Sequence, residues 1–167
     1  MFPGYHLTKV QADSIHHYTD TITPTSAIPQ KVFSGFKRAC HSLYKFDRKG
    51  EKDFATILES DKDILKWLRP APKQFMIYWD HDNRRYEPDF VVETASAIYL
   101  VEIKAENQLD DTEVLEKAKA ALQYCKHASD HNLKNDRKPW KYLLIPHSEV
   151  LPNMSLGYLA GKREFIG

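Results

Sequence analysis

Hydrophobic and polar positions along this chain change period several times. Val32, Phe36, Ala39, Cys40 and Leu43 recur every three or four residues, which predicts a helix with Gly35 as its weak point. Residues 45–50 form a polar break. Phe54, Ile57 and Leu58 then share one face of a second helix over 51–59. Residues 60–63 offer caps for a third, short helix carrying Ile64, Leu65, Trp67 and Leu68, and Pro70 and Pro72 end it. From there the pattern turns strand-like. Residues 74–79 are aromatic and apolar throughout, 80–83 read as a turn, and 85–93 and 98–104 predict two more strands. These three make an antiparallel meander. The clearest helix follows, with Asp111 and Thr112 as capping candidates and an apolar stripe of Val114, Leu115, Ala118, Ala121, Leu122 and Cys125. Residues 140–145 predict a fourth strand, parallel to the third because a long helix separates them. A short helix over 150–160 closes the chain. The expected fold is α/β: a mixed sheet of about four strands, a meander plus one crossover strand, flanked by helices.

Residues 1–30 read differently. Tyr5 to Val10 alternates weakly, as a strand would, and 19–29 is rich in Thr, Ser and Pro, which favours an extended connector. This segment is expected to be an arm or linker ahead of a single domain over 31–167. The full length of 167 residues suits one core. A net charge of +1 carries no global nucleic-acid signal. No apolar run approaches the roughly 20 residues a membrane helix needs, and the first residues do not resemble a signal peptide. Cys40 and Cys125 lie far apart with no CxxC spacing, so a reducing, cytoplasmic setting without disulfides is expected. The histidines show no zinc spacing with the cysteines.

The chemistry concentrates between residues 86 and 104. Asp89 sits at the mouth of one predicted strand, and Glu102 and Lys104 lie near the end of the next. Strand side chains alternate, so Glu102 and Lys104 share a face with Ile98 and Leu100. With residues 94–97 as a four-residue loop, Glu93 pairs with Ile98 and Asp89 falls opposite Glu102. Two carboxylates and one ammonium then converge at the end of an apolar ribbon face. Such a pair can hold Mg²⁺, a hard cation that prefers oxygen. The Ile103 carbonyl offers a further ligand. Glu51, in the first turn of an upstream helix, could reach the same ion, although helix-dipole effects alone would also favour an acid there. Arg84 and Arg85 read equally as phosphate contacts or as a solvated hairpin end, while the basic loop of Lys134, Arg137 and Lys138 reads more simply as solvated charges than as a DNA-backbone contact.

Pro88-Asp89 followed by Glu102-Ile-Lys104 resembles the motif of the PD-(D/E)xK nuclease superfamily, the restriction-endonuclease-like fold. Flanking segments narrow the likeness. Phe33-Ser-Gly-Phe-Lys37, Glu51-Lys-Asp-Phe-Ala55, Leu65-Lys-Trp67, Tyr86-Glu-Pro-Asp-Phe90, Tyr99-Leu-Val-Glu102 and Trp140-Lys-Tyr-Leu-Leu-Ile-Pro146 look like the C-terminal nuclease region of type III restriction enzyme Res subunits. The resemblance implies a Mg²⁺-dependent DNA endonuclease, with Mn²⁺ as a substitute. It implies that Asp89 and Glu102 bind the ion, that Glu51 matches the acid on the first core helix, and that Lys104 acts on the attacking water. Some relatives use a Gln on the next helix, and Gln123 is the candidate here. The resemblance also implies partners: DNA, an ATP-dependent motor upstream or in another chain, and a methyltransferase that chooses the target. The chain carries no GxxxxGK[ST] phosphate loop. It therefore looks like an excised or stand-alone nuclease domain. The alternative is a non-catalytic DNA-binding or docking module that keeps the fold.

Overall fold

The computed structural model describes residues 15–79 and 84–167. In chain order the elements are β1 (Ile15–His17), β2 (Val32–Ser34), α1 (Lys49–Ser60), β3 (Ile64–Leu68), β4 (Ile77–Tyr78), β5 (Arg85–Tyr86), β6 (Phe90–Thr94), β7 (Ile98–Lys104), α2 (Thr112–Leu133), β8 (Trp140–Pro146) and α3 (Leu156–Arg163). The main sheet runs β3-β6-β7-β8. β3, β6 and β7 are antiparallel neighbours, and β8 lies parallel to β7. The expected α/β fold with a mixed four-strand sheet and flanking helices is the one observed.

The hairpin register is also as expected. Glu93 faces Ile98, and each step outward holds as far as Phe90 opposite Val101. Thr94 organises the turn, its hydroxyl accepting the amides of Ser96 at 3.3 Å and Ala97 at 3.2 Å. Alternation then sorts the two faces. Val101, Ile103, Leu143 and Ile145 join Phe54, Ile57 and Leu58 of α1 in one core layer. Leu100, Tyr142 and Leu144 join Ala118, Ala121 and Cys125 of α2 in the other. Glu102, two after Leu100, therefore stands on the α2 face.

Four expected elements are different. The helix over 32–43 is absent. Val32–Ser34 is a strand, and Phe33 and Tyr44 exchange backbone bonds of 2.8 and 3.0 Å. Gly35 adopts φ +88°, a left-handed turn no helix can contain. The amides of Lys37 and Arg38 donate to the carboxylate of Glu59 at 2.8 and 3.0 Å instead of to helical carbonyls. The apolar spacing there is the burial of aromatics, Phe36 standing edge-on to both Tyr44 and Trp67.

The short helix at 64–68 is β3. Its register against β6 slips between Ile64 and Lys66. A bulge inserts one residue, so two inward positions lie three apart. Ile64 and Trp67 are both 1% exposed, and that spacing imitates a helical period. The strand at 74–79 shortens to Ile77–Tyr78 and leaves the main sheet. Among the described residues it pairs with Arg85–Tyr86 alone, and β3 takes the edge position of the meander. The last helix starts later than expected, at Leu156.

The predicted strand at Tyr5 to Val10 and the turn at 80–83 lie outside the described residues. From Ile15 the N-terminal segment does not stand off as a free arm. β1 pairs parallel with β2, and Ile22 and Ile28 sit in the α1-side core. These apolar side chains are buried in the layer that carries Phe33.

Candidate active site

Asp89 lies one residue before β6 begins, where the hairpin ladder has run out. Its side chain takes over the ladder's work: the amide of Ile103 donates to Oδ2 at 2.8 Å. Within a strand the N–H and C=O of one residue leave by the same edge. The Ile103 carbonyl thus also faces the side where Asp89 stands.

Glu102 is 5% exposed. Its Oε1 pairs with Lys104 Nζ at 2.8 Å, and its Oε2 accepts the Tyr86 hydroxyl at 2.9 Å. The Tyr86 and Tyr142 hydroxyls are 3.0 Å apart. Burial and neighbouring acids, Glu102 first, raise both tyrosines well above their ordinary value, so both stay protonated. A carboxylate can only accept. Tyr86 therefore donates to Glu102, and Tyr142 donates to Tyr86. The small β4–β5 ribbon exists in the site to carry Tyr86 to this position.

Glu51 opens α1, and its Oε2 accepts the amides of Asp47 at 2.7 Å and Arg48 at 3.3 Å. The same oxygen meets Arg69 Nη2 at 3.0 Å. Arg69 also contacts Asp47 Oδ2 at 3.0 Å and approaches Asp89 Oδ1 to 3.8 Å. It is 8% exposed.

Glu51, Asp89, Glu102, Ile103 and Lys104 all line one polar cavity of about 290 Å³. The cations Arg48, Arg85 and Lys117 stand on its walls. Crowding has an electrostatic consequence. Burial, then Glu102 and Glu51, raise the Asp89 carboxyl well above its usual value, against the pull of Arg69 and the Ile103 amide. Burial raises Glu51 as well, with Arg69 opposing. Burial disfavours the Lys104 charge, but Glu102 beside it outweighs this and the ammonium is held above its ordinary value.

Among the described residues, no three His, Cys, Asp or Glu side chains stand close enough to cage a metal ion by themselves. Mg²⁺ does not require such a cage, since it is commonly held by one or two carboxylates and keeps several waters. Two crowded carboxylates and a strand-end carbonyl are hard oxygen donors with no sulfur or imidazole among them, and this chemistry fits Mg²⁺.

Other sequence candidates lie apart. Gln123 is exposed on α2 and lines no part of the cavity. Arg84 sits over the Trp79 ring at 5.5 Å. Lys138 binds Glu93 at 2.6 Å and the Thr94 carbonyl at 2.7 Å, while Lys134 and Arg137 are exposed beyond α2. Sequence reasoning missed Arg69, Tyr86, Tyr142 and Asp47. One signal was present: Tyr142 sits amid buried strand residues, and a buried hydroxyl requires a partner.

Residues 61–130 match the family described as TnsA-like endonuclease N terminal, a restriction-endonuclease-like nuclease family. The match covers less than half of the chain. It spans β3 through most of α2 and includes Arg69, Tyr86, Asp89, Glu102 and Lys104, but not Glu51 or Tyr142. It supports the expected nuclease superfamily and does not extend to the type III Res likeness. No curated protein matches the chain. Among the described residues, no helix is long and apolar enough to cross a membrane.

Proposed function

We propose that the chain is a Mg²⁺-dependent DNA endonuclease module that hydrolyses backbone phosphodiesters. One observation carries this reading: Asp89 and Glu102 face one polar cavity with Lys104 bonded to Glu102, inside the segment similar to TnsA-like endonucleases. Asp89, Glu102 and the Ile103 carbonyl would hold the ion. When bound, Mg²⁺ would neutralise phosphate charge and acidify a water.

The protein's own groups then have distinct parts. Tyr86 and the Ile103 amide fix the two carboxylates in place. Lys104 is a cation already engaged by Glu102, so it acts as a donor: it orients the attacking water and steadies charge on the phosphate, and it does not serve as a base. Arg48, Arg85 and Lys117 draw the polyanionic substrate to the cavity.

The flanking segments support a role beside an ATP-driven motor and a methyltransferase specificity subunit, as in type III systems. In that setting the module itself reads little sequence. Plasmid nicking with Mg²⁺ or Mn²⁺ tests the reading. Wild type should nick, and Asp89→Ala and Lys104→Ala should not. Equal nicking by all three would remove Asp89 and Lys104 from the chemistry. A non-catalytic DNA-docking module is the competing reading. It would bind DNA with no dependence on divalent ions or on Glu102.

A further inference from the structure

Arg69 reaches several acids of the site at once. Its guanidinium lies within 3.0 Å of Asp47 and Glu51 and 3.8 Å of Asp89. Nε donates to the Lys45 carbonyl at 3.1 Å, and Nη1 to the Asp89 carbonyl at 3.5 Å. Its centre lies over two rings, 5.8 Å from the centroids of both Phe46 and Phe90. A guanidinium tied to two carbonyls and set over two neighbouring aromatic rings at 8% exposure is held in position. It is not a surface chain that swings aside.

Its location has a chemical meaning. Two-metal phosphodiesterases place a second cation about 3.5–4 Å from the first, and both ions share acidic ligands. A second ion here would need Glu51 and the Asp89 oxygen turned away from Ile103. Arg69 already occupies the space between those two groups. Oδ2 of Asp89 is committed to the Ile103 amide, and Oε2 of Glu51 is committed to two amides and to Arg69.

We propose that Arg69 takes the place of a second metal ion, so that the site binds a single divalent cation and Glu51 serves Arg69 as its partner. The proposal rests on the metal-dependent nuclease reading above. Arg69 is thereby a positioning residue: it offsets the acids on one side of Asp89 and leaves the Glu102 side for the ion. An arginine is suited to this, because its charge persists at every working pH and its planar fork meets two carboxylates at once.

Calorimetric titration with Mn²⁺, without DNA, tests this directly. Wild type should bind one ion per chain, and Arg69→Met should bind two. Glu51→Gln should still bind one, with affinity within about threefold of wild type, and this variant keeps the test decisive if Arg69→Met does not fold. Two ions in wild type, one ion in folded Arg69→Met, or a tenfold or greater loss of affinity in Glu51→Gln would each overturn the proposal while leaving the nuclease reading intact. No ion in wild type would overturn that reading as well.

Discussion

The backbone amide of Ile103 donates to Oδ2 of Asp89 at 2.8 Å, Asp89 standing one residue and Ile103 two residues beyond the last ladder pair of the hairpin, Phe90–Val101. A side chain thus completes a backbone pattern, and the same bond aims a carboxylate at the cavity. The acid is held where its charge is disfavoured, which ties stability to function.

Burial and the nearby Glu102 and Glu51 raise the Asp89 carboxyl. In the folded chain it keeps its proton at pH values where the unfolded chain has lost it. The folded state then binds more protons, and stability falls as pH climbs from the ordinary carboxylate value through the raised one. Asp89→Asn should flatten that slope. In chelator at neutral pH it should raise the melting temperature by about 2–4 °C, as ~1 kcal/mol does in a chain of this size. The same change should cut nicking by roughly 10²–10³-fold. A melting temperature that falls would show that Asp89 is not strained as an anion. In wild type, Mg²⁺ affinity should rise with pH over the same window, because protons compete for Asp89.

Lys104→Gln separates binding from chemistry. The ammonium pairs with Oε1 of Glu102 at 2.8 Å and competes there with any bound cation. Nicking should fall on the order of 10²-fold or more, while Mg²⁺ affinity holds or tightens. Parallel loss of both quantities would make Lys104 a support for the fold of the site and not a participant in the reaction.

Tyr86→Phe removes the donor to Glu102 and leaves the buried Tyr142 hydroxyl without its partner. Stability should drop by about 1–3 kcal/mol, and metal affinity by roughly tenfold or more. Adding Tyr142→Phe should restore part of the stability, because no orphan hydroxyl remains, and none of the affinity. Denaturant unfolding and calorimetry on the three variants read both effects.

Gly35→Ala tests the N-terminal packing away from the site. At φ +88° any side chain is strained, and a Cβ there would overlap the His17 ring. The expected cost is about 1–3 kcal/mol, with nicking per folded molecule unchanged. A neutral result would mean that the β1–β2 strap rearranges freely.

Local pattern carried far in this chain. Strand parity put Glu102 and Lys104 on one face, and a four-residue turn set the register that leads to Asp89. Both follow from the two-residue period of a strand and the length of its loop, quantities written along the chain. The α2 stripe and the parallel β8 are legible for the same reason, since a helical period and a long crossover leave few alternatives. The bulge in β3 misled, because one inserted residue gives a strand the spacing of a helix. Residues 32–43 misled because their apolar side chains meet aromatics from elsewhere in the chain, and Glu59 captures the amides a helix would need.

Arg69 and the tyrosine pair belong to another class. Arg69 lies beside Pro70 in a stretch with no motif of its own. It matters only because β3 is a sheet edge whose end overhangs α1 and the mouth of β6. Tyr86 reaches Glu102 because a two-residue ribbon packs against α2, and Tyr142 reaches Tyr86 because β8 joins beside β7. The residues of the motif could be read from one dimension, since period and turn length are local. The charges and hydroxyls that hold them are brought in by contacts between distant segments, and those are settled only when the whole core packs.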